Sequence, residues 1–344
     1  MEQKPFFSII ITSFNSGAFL RNCLQSIYQS DFHNFEVVLV DNASIDDSFA
    51  KISQKILSRP NLKLVRIKKN IGSVGGRITG IKKNRGKYLF FLDADTVVEK
   101  NCLESLAKFL RQHPEVGAVH PKLLNLEKRQ YFDYAGDYLD PFGFLVNRAK
   151  GEKDYGQFDD IVPILSSKTA AAAVKKEAYE KIGGFDKDYF FYLEDTDLDW
   201  RLWLADYPVL FFPKAVVYHG FNTTEKNKNK GKYYSEKEIK YFGPRNYLLT
   251  LLKNLGAKKT IKIIPLHIFF WLLTAFFFLI KGKYKDSFYI IKGILWNFFH
   301  LPKVLRKRAV IQKNRSLSDE DLEFLFKRKE PLNFYLKRLF SYIS

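Results

Sequence analysis

Tyr88-Leu-Phe-Phe-Leu92 runs five apolar or aromatic residues straight into Asp93-Ala-Asp95. An apolar run this short, bounded by polar turn residues, reads as a strand buried on both faces, the kind found inside a parallel sheet. In open parallel sheets, ligands bind just beyond the carboxyl ends of the strands, and Asp93 and Asp95 fall there. Two carboxylates spaced i, i+2 on a turning backbone can converge on one hard divalent cation and leave positions for phosphate oxygens. The same triplet also spells an ordinary strand-ending turn, so the neighbouring segments have to decide.

Those segments alternate between strand and helix. Phe6–Ile11, Phe35–Val40 and Leu62–Ile67 read as buried strands. Helices are predicted over Phe19–Tyr28, Ser48–Ser58, Arg77–Asn84 and Asn101–Gln112. This order indicates a parallel α/β sheet. Three strands end in polar residues: Thr12 to Asn15, then Asp41, then Asp93 and Asp95. No G-x-G-x-x-G follows the first strand, which disfavours a dinucleotide fold holding pyrophosphate on a helix N-terminus. A nucleotide held by carboxylates and a metal fits better. Asp41 could accept from a base or ribose, or could cap the turn Asp41-Asn-Ala-Ser44.

Gly117–Lys122 opens a more irregular stretch, and Tyr131–Asp160, rich in Gly, Asp and aromatics, reads as loops over the site. Ser166–Val174 is fit for a buried strand, and Lys175–Lys181 for a short helix. A second acidic cluster follows, with Glu194, Asp195, Asp197 and Asp199 within six residues. The helical spacing of Leu198, Leu202 and Ala205 puts Glu194 and Asp195 near a helix N-terminus, where the dipole favours anions. Capping alone needs fewer carboxylates. Val209–Pro213 and Ala215–His219 read as two further strands, and His219 could supply a neutral imidazole to the same metal.

In order, Ser8-Ile-Ile-Ile-Thr-Ser-Phe-Asn15, Val40-Asp-Asn-Ala-Ser44, Asn70-Ile-Gly72, Leu92-Asp-Ala-Asp-Thr96, Gly183-Gly-Phe-Asp186, Glu194-Asp-Thr-Asp-Leu198 and Tyr218-His219 closely resemble the family 2 glycosyltransferases. The rhamnosyltransferase-like branch, which builds cell-surface glycans, looks nearest, and the likeness covers about residues 6–250. The resemblance implies an α/β fold of the GT-A type, a nucleotide-diphosphate sugar donor, Mg²⁺ or Mn²⁺, and inversion at the anomeric carbon. Carried over residue by residue, Thr12, Asn15, Asp41, Asn70, Arg77, Asp93 and Ala94 would line the donor. Asp93, Asp95 and His219 would hold the metal. Asp195 would be the general base, with Glu194 beside it. Ile78 departs from the family, which carries an Asn after the arginine.

Charge divides the chain. Residues 1–220 hold 30 Lys and Arg against 28 Asp and Glu, and residues 221–344 hold 26 against 9. A near-neutral catalytic domain (1–250) is therefore expected to carry a basic helical region (251–344) that associates with an anionic membrane surface. Ile263–Ile280 is 18 residues without formal charge, flanked by lysines on both sides. Symmetric basic flanks favour a segment that enters one leaflet and returns, or lies in it, over one that crosses. Tyr284–Leu301 reads as an interfacial helix, Ser318 as the cap of an acidic-start helix, and Tyr335–Ile343 as a last amphipathic helix. The run into Phe6 lacks the pattern of a signal peptide, so secretion is not expected, and two cysteines suggest a reducing compartment. These features place the chain at the cytoplasmic face of the cell membrane, monotopic or peripheral, acting on a glycan or polyprenyl-linked acceptor. Nucleic acid is not expected as a partner, and a homo-oligomer is left open. A sugar nucleotidyltransferase is the rival within enzymes. It would need a Gly-rich basic loop after the first strand, which Thr12–Gly17 lacks, and would leave Glu194-Asp195 without a role.

Overall fold

The structure is a computed structural model that describes residues 4–50, 52–220, 235–326 and 330–341. In chain order its first half comprises β1 (Phe7–Ser13), α1 (Ala18–Tyr28), β2 (Phe35–Asp41), α2 (Gln54–Leu57), β3 (Leu62–Arg66), α3 (Gly72–Ile81), β4 (Tyr88–Asp93), β5 (Thr96–Val98) and α4 (Cys102–Gln112). There follow β6 (Ala118–Asn125), β7 (Phe132–Tyr134), β8 (Asp137–Leu139), β9 (Leu145–Asn147), β10 (Val162–Pro163), β11 (Ala171–Lys175), α5 (Lys176–Lys181), α6 (Glu194–Leu204) and β12 (Val209–His219). Helices α7 (Glu236–Asn254), α8 (Ala257–Ile280), α9 (Tyr284–Phe299), α10 (Leu301–Lys313) and α11 (Leu332–Ser341) complete it, with a 3₁₀ turn at Glu323–Leu325.

One ten-stranded sheet organises the molecule, in the order β10-β12-β6-β11-β4-β1-β2-β3, with β5 on β12 and β7 on β6. β4, β1, β2 and β3 are parallel, and β11 runs against β4. The strand of Tyr88–Leu92 is central and fully buried, as its composition predicts. The register brings Thr12 opposite Asp93 and Ser13 opposite Asp41. The polar strand ends therefore line up along one edge. Helix α3 crosses this edge at close range. A Cβ on Gly76 would stand 2.3 Å from Thr12 Cγ2, and one on Gly80 2.8 Å from Ile10 Cγ2. These glycines let the helix lie against the sheet, and packing outweighs their poor helix propensity.

Several expected boundaries are corrected. Helix α3 starts at Gly72, not Arg77. The helix expected over Ser48–Ser58 shrinks to Gln54–Leu57. Asp46 and Ser48 instead accept from the Gly17 amide at 3.0 and 2.7 Å, so their side chains bind a neighbouring turn and compete with helix formation. The irregular stretch at Gly117–Lys122 is largely β6, entirely buried. The two strands expected at 209–219 are one, interrupted by a register shift between Phe212 and Val216 opposite Pro121. A shift there spares the ladder the amide that proline lacks. Ser318 and Asp321 exchange cap-like hydrogen bonds, at 2.8 and 3.1 Å. Only the 3₁₀ turn follows, because Asp319 is pulled back by Arg315 and the Gly256 amide.

The C-terminal helices share the catalytic core. One buried apolar cluster includes Ile10, Val38 and Phe91 of the sheet together with Leu251, Trp271, Phe278, Ile290 and Val304. Helix α7 runs through residue 250 without a break.

Candidate active site

Asp93, Asp95 and His219 meet at the sheet edge. Their ligand atoms all lie within 4.8 Å of one another. The end of β12 pairs His219 with Thr96, which sets the imidazole beside Asp95. His219 Nε2 lies 3.4 Å from Asp95, and Nδ1 lies 2.8 Å from Asp133. A carboxylate can only accept here, so Nδ1 carries the proton toward Asp133 and Nε2 faces the two aspartates. That is the arrangement of a ligating histidine whose second nitrogen is held by a carboxylate. Burial would lower the His219 pKa, but Asp95 and Asp133 outweigh it and raise it to about 10, so a metal ion held here would displace a second proton from Nε2. A donor set of two carboxylates and one imidazole could hold a single divalent metal ion.

Arg77 joins this group to the second acidic cluster. Its guanidinium donates to Asp93 at 2.9 Å and to Glu194 at 2.8 Å. Ser73, one turn earlier on α3, donates to Glu194 at 3.2 Å. The four carboxylates of α6 divide by partner. Asp197 is held by Arg201, Lys253 and Asn254, and Asp199 by the amide and hydroxyl of Ser167. Burial and neighbouring Asp195 lift Glu194 to about 7, against the pull of Arg77. Asp195 is only half-buried, accepts from the Thr196 amide at 2.8 Å and is raised in pKa chiefly by desolvation. It is the one cluster carboxylate with neither an arginine, a lysine nor a serine at hydrogen-bond distance among the described residues.

The backbone before α6 is strained. Tyr192 and Leu193 both adopt positive φ, 73° and 67°, at about 1–3 kcal/mol each for residues with a Cβ. Asn246 of α7 holds this turn by donating to Phe191 O and Tyr192 O, both at 2.8 Å. Its neighbour Arg245 donates to Asp188 O at 2.8 Å. The Arg245-Asn246 pair thus fixes the direction in which α6 presents Asp195.

The remaining expected donor residues line the same edge. Asp41 Oδ1 accepts from the Ser44 amide at 2.9 Å, the turn-capping option, and its second oxygen has no partner among the described residues. Asn15 and Asn70 each commit their amide oxygen to the fold. Asn15 Oδ1 takes the Ile45 amide at 2.8 Å, and Asn70 Oδ1 takes Asn42 Nδ2 and the Gly72 amide at 3.0 and 2.9 Å. Thr12 Oγ1 is buried without a partner among the described residues. Ala94 is buried between the two aspartates. Sequence reasoning missed Asp133, Asn42 and Ser73. Asp133 sits between the buried aromatics Phe132 and Tyr134, an alternation that marks a strand within a stretch read as loop.

The sheet topology is that of the GT-A fold. The sequence model of glycosyl transferase family 2 matches residues 8–180, half of the chain, and the chain belongs to that family. Among curated relatives, the poly-beta-1,6-N-acetyl-D-glucosamine synthase of Staphylococcus epidermidis is 24% identical over 224 residues, 63% of this chain and 50% of that protein. The poly(ribitol-phosphate) beta-N-acetylglucosaminyltransferase TarS of Staphylococcus aureus is 33% identical over 110 residues, 31% of this chain and 19% of that protein. The chain thus spans at most about half the length of these relatives. Among solved structures, S. aureus TarS 1–349 in complex with UDP-GlcNAc superposes with a TM-score of 0.57 at 19% identity, covering 92% of this chain and 88% of that one. GalNAc-T7 with UDP, GalNAc and Mn²⁺ gives 0.59 at 15% identity, covering 76% and 50%. At these identities the likeness concerns the fold.

Proposed function

We propose that this glycosyltransferase moves a sugar from a nucleoside-diphosphate donor to a hydroxyl of a cell-surface glycan or lipid-linked acceptor, with inversion. The observation that carries the reading is the meeting of Asp93, Asp95 and His219 at one sheet edge, with Arg77 joining Asp93 to Glu194, the chain neighbour of the half-buried Asp195. Asp41 and the Thr12–Asn15 turn receive the nucleoside. A divalent cation held by Asp93, Asp95 and His219 would supply Lewis-acid neutralisation of the departing diphosphate. Asp195 takes the proton of the attacking hydroxyl. Its partial exposure leaves it open to an acceptor, and its raised pKa makes it a better base. Glu194, closed off by Arg77 and Ser73, holds that arginine in place. A single displacement needs no covalent enzyme nucleophile.

The relatives named above handle N-acetylglucosamine, so UDP-N-acetylglucosamine heads the donor panel, with rhamnosyl and hexosyl nucleotides beside it. Incubating the purified protein with the panel, with and without EDTA, tests the reading. Release of nucleoside diphosphate from one donor, suppressed by EDTA, is expected. No release from any donor in the presence of Mn²⁺, Mg²⁺ and membrane extract as acceptor source counts against it.

The proposed location is the cytoplasmic face of the cell membrane, with α8 and α9 lying in the leaflet. Helix α8 is long and apolar enough to cross a membrane by length and composition. One of its faces, Ile263, His267, Trp271, Thr274, Ala275 and Phe278, is buried against the protein. Its other face exposes Phe269 and Phe276, and α9 continues the apolar surface with Phe288, Phe298 and Phe299. A helix packed along its length on a catalytic core, with lysines at both ends, suits an in-plane anchor.

A further inference from the structure

Lys168 lies between the two halves of the site. Its segment leads into β11, and two residues on, Ala170 O accepts the Asp93 amide at 3.1 Å. The backbone around it is clamped on both sides. The Lys168 amide donates to His120 Nδ1 at 3.5 Å, and Ser167 donates twice to Asp199, at 2.6 and 2.5 Å. The half-buried side chain lies over Tyr134, with Nζ 4.4 Å from the ring centroid. Tyr134 is in turn fixed by its hydroxyl, which donates to Ser166 O at 2.8 Å. The ammonium is near enough to Asp133, behind His219, and to Asp195 to favour the charged form of each.

Three other lysines withdrawn from solvent have a direct carboxylate partner. Lys122, Lys253 and Lys307 reach Asp154, Asp186 and Asp188 at 2.7, 2.6 and 2.6 Å. Lys168 has no oxygen at hydrogen-bond distance among the described residues, although it stands among carboxylates. An ammonium partly stripped of water needs an acceptor, and a rigid, clamped cation facing a reaction site is a preorganised anion binder.

We propose that Lys168 binds an anionic oxygen of the substrate pair, a phosphate or carboxylate group brought in by the donor's diphosphate or by an acidic acceptor. This rests on the nucleotide-sugar reading of the site. Lys168 would then place that group between the metal-ligand residues and the base.

The test compares the wild-type protein with Lys168→Met and Lys168→Arg by calorimetry in Mn²⁺. One arm titrates UDP, or the nucleoside diphosphate the donor panel identifies, with the bare nucleoside as control. The other titrates glycerol phosphate onto protein saturated with the nucleotide. A donor contact is shown by diphosphate affinity falling tenfold or more in Lys168→Met, largely restored in Lys168→Arg, with nucleoside affinity unchanged. An acceptor contact is shown by unchanged diphosphate affinity and by glycerol phosphate binding that Lys168→Met abolishes. Equal affinities for both probes in all three proteins overturn the proposal. If Lys168→Met melts early, Lys168→Gln is read against the same criteria. Failure of the wild-type protein to bind any nucleoside diphosphate overturns the underlying reading and this one with it.

Discussion

Glu194 and Asp195 are adjacent in the chain and unlike in their surroundings, and the difference is geometric. Glu194 turns toward α3 and is closed by Arg77 and Ser73. Among the described residues Asp195 accepts only from the Thr196 amide, and it keeps part of its surface open. Asp195→Asn preserves shape and removes the base. Transfer should fall by about 10²–10⁴-fold, while calorimetric affinity for the nucleoside diphosphate stays within a factor of a few. Asp133→Asn tests the metal side without touching a ligand. Loss of the carboxylate behind His219 should weaken the metal by about 10–100-fold, visible as a rightward shift of the Mn²⁺ activation curve. Asn246→Ala releases the strained Tyr192–Leu193 turn, so kcat should drop with little change in donor KM. The meeting of three of these side chains was legible. Asp93, Asp95 and His219 announce themselves by ending apolar strands, and Glu194-Asp195 by crowding more charge into a helix start than capping requires. Asp133 and the grip of Asn246 were not legible as geometry, because each acts across 86 and 54 residues of sequence. No local periodicity encodes such a contact.

At the level of elements, the loop that leads into α6 is tied down by charge. Lys253 of α7 meets Asp186 at 2.6 Å, and Lys303 and Lys307 of α10 meet Asp188 at 2.5 and 2.6 Å. Burial alone would raise the Asp186 pKa, but Lys253 and Lys307 reverse this and hold it well below the usual carboxylate range. A depressed folded pKa contributes stability above the unfolded value, near 4, and loses it as pH falls through the folded value. Acid should therefore loosen α6 and α10 together. Asp186→Asn should lower the melting temperature at pH 7, consistent with about 3 kcal/mol for a broken buried pair, and the gap to wild type should narrow in melts recorded below pH 4. The elements themselves were largely predictable where the apolar pattern matches the burial, on both faces in β1 and β2 and on one face in α4. The failures share a cause. Ser48, Arg77 and Gly117–Lys122 are read locally as helix start, helix start and irregular stretch, whereas Asp46 and Ser48 serve the Gly17 turn, the helix opens at Gly72, and Pro121 of β6 faces a register shift in β12.

Taken whole, the molecule carries two apolar surfaces that a composition count cannot separate. One lies inside, where the sheet and the C-terminal helices contribute to the same buried cluster. The other lies outside on α8 and α9, where Phe269 is 65% exposed and Phe299 72%. Vesicle flotation checks the proposed role of the second. Wild-type protein should float with anionic vesicles and less with neutral ones, and Phe269→Ser combined with Phe276→Ser should stay at the bottom while melting normally. Wild-type protein that ignores both kinds of vesicle would remove the membrane from the description. The arrangement of α8 has a practical consequence for anyone seeking a water-soluble catalyst. Cutting the chain before α8 would also strip Trp271 and Phe278 from the interior and leave Tyr247 of α7 without the rings that pack on it. Solubility has to be gained by repainting the outside of the helix, because its inside belongs to the enzyme.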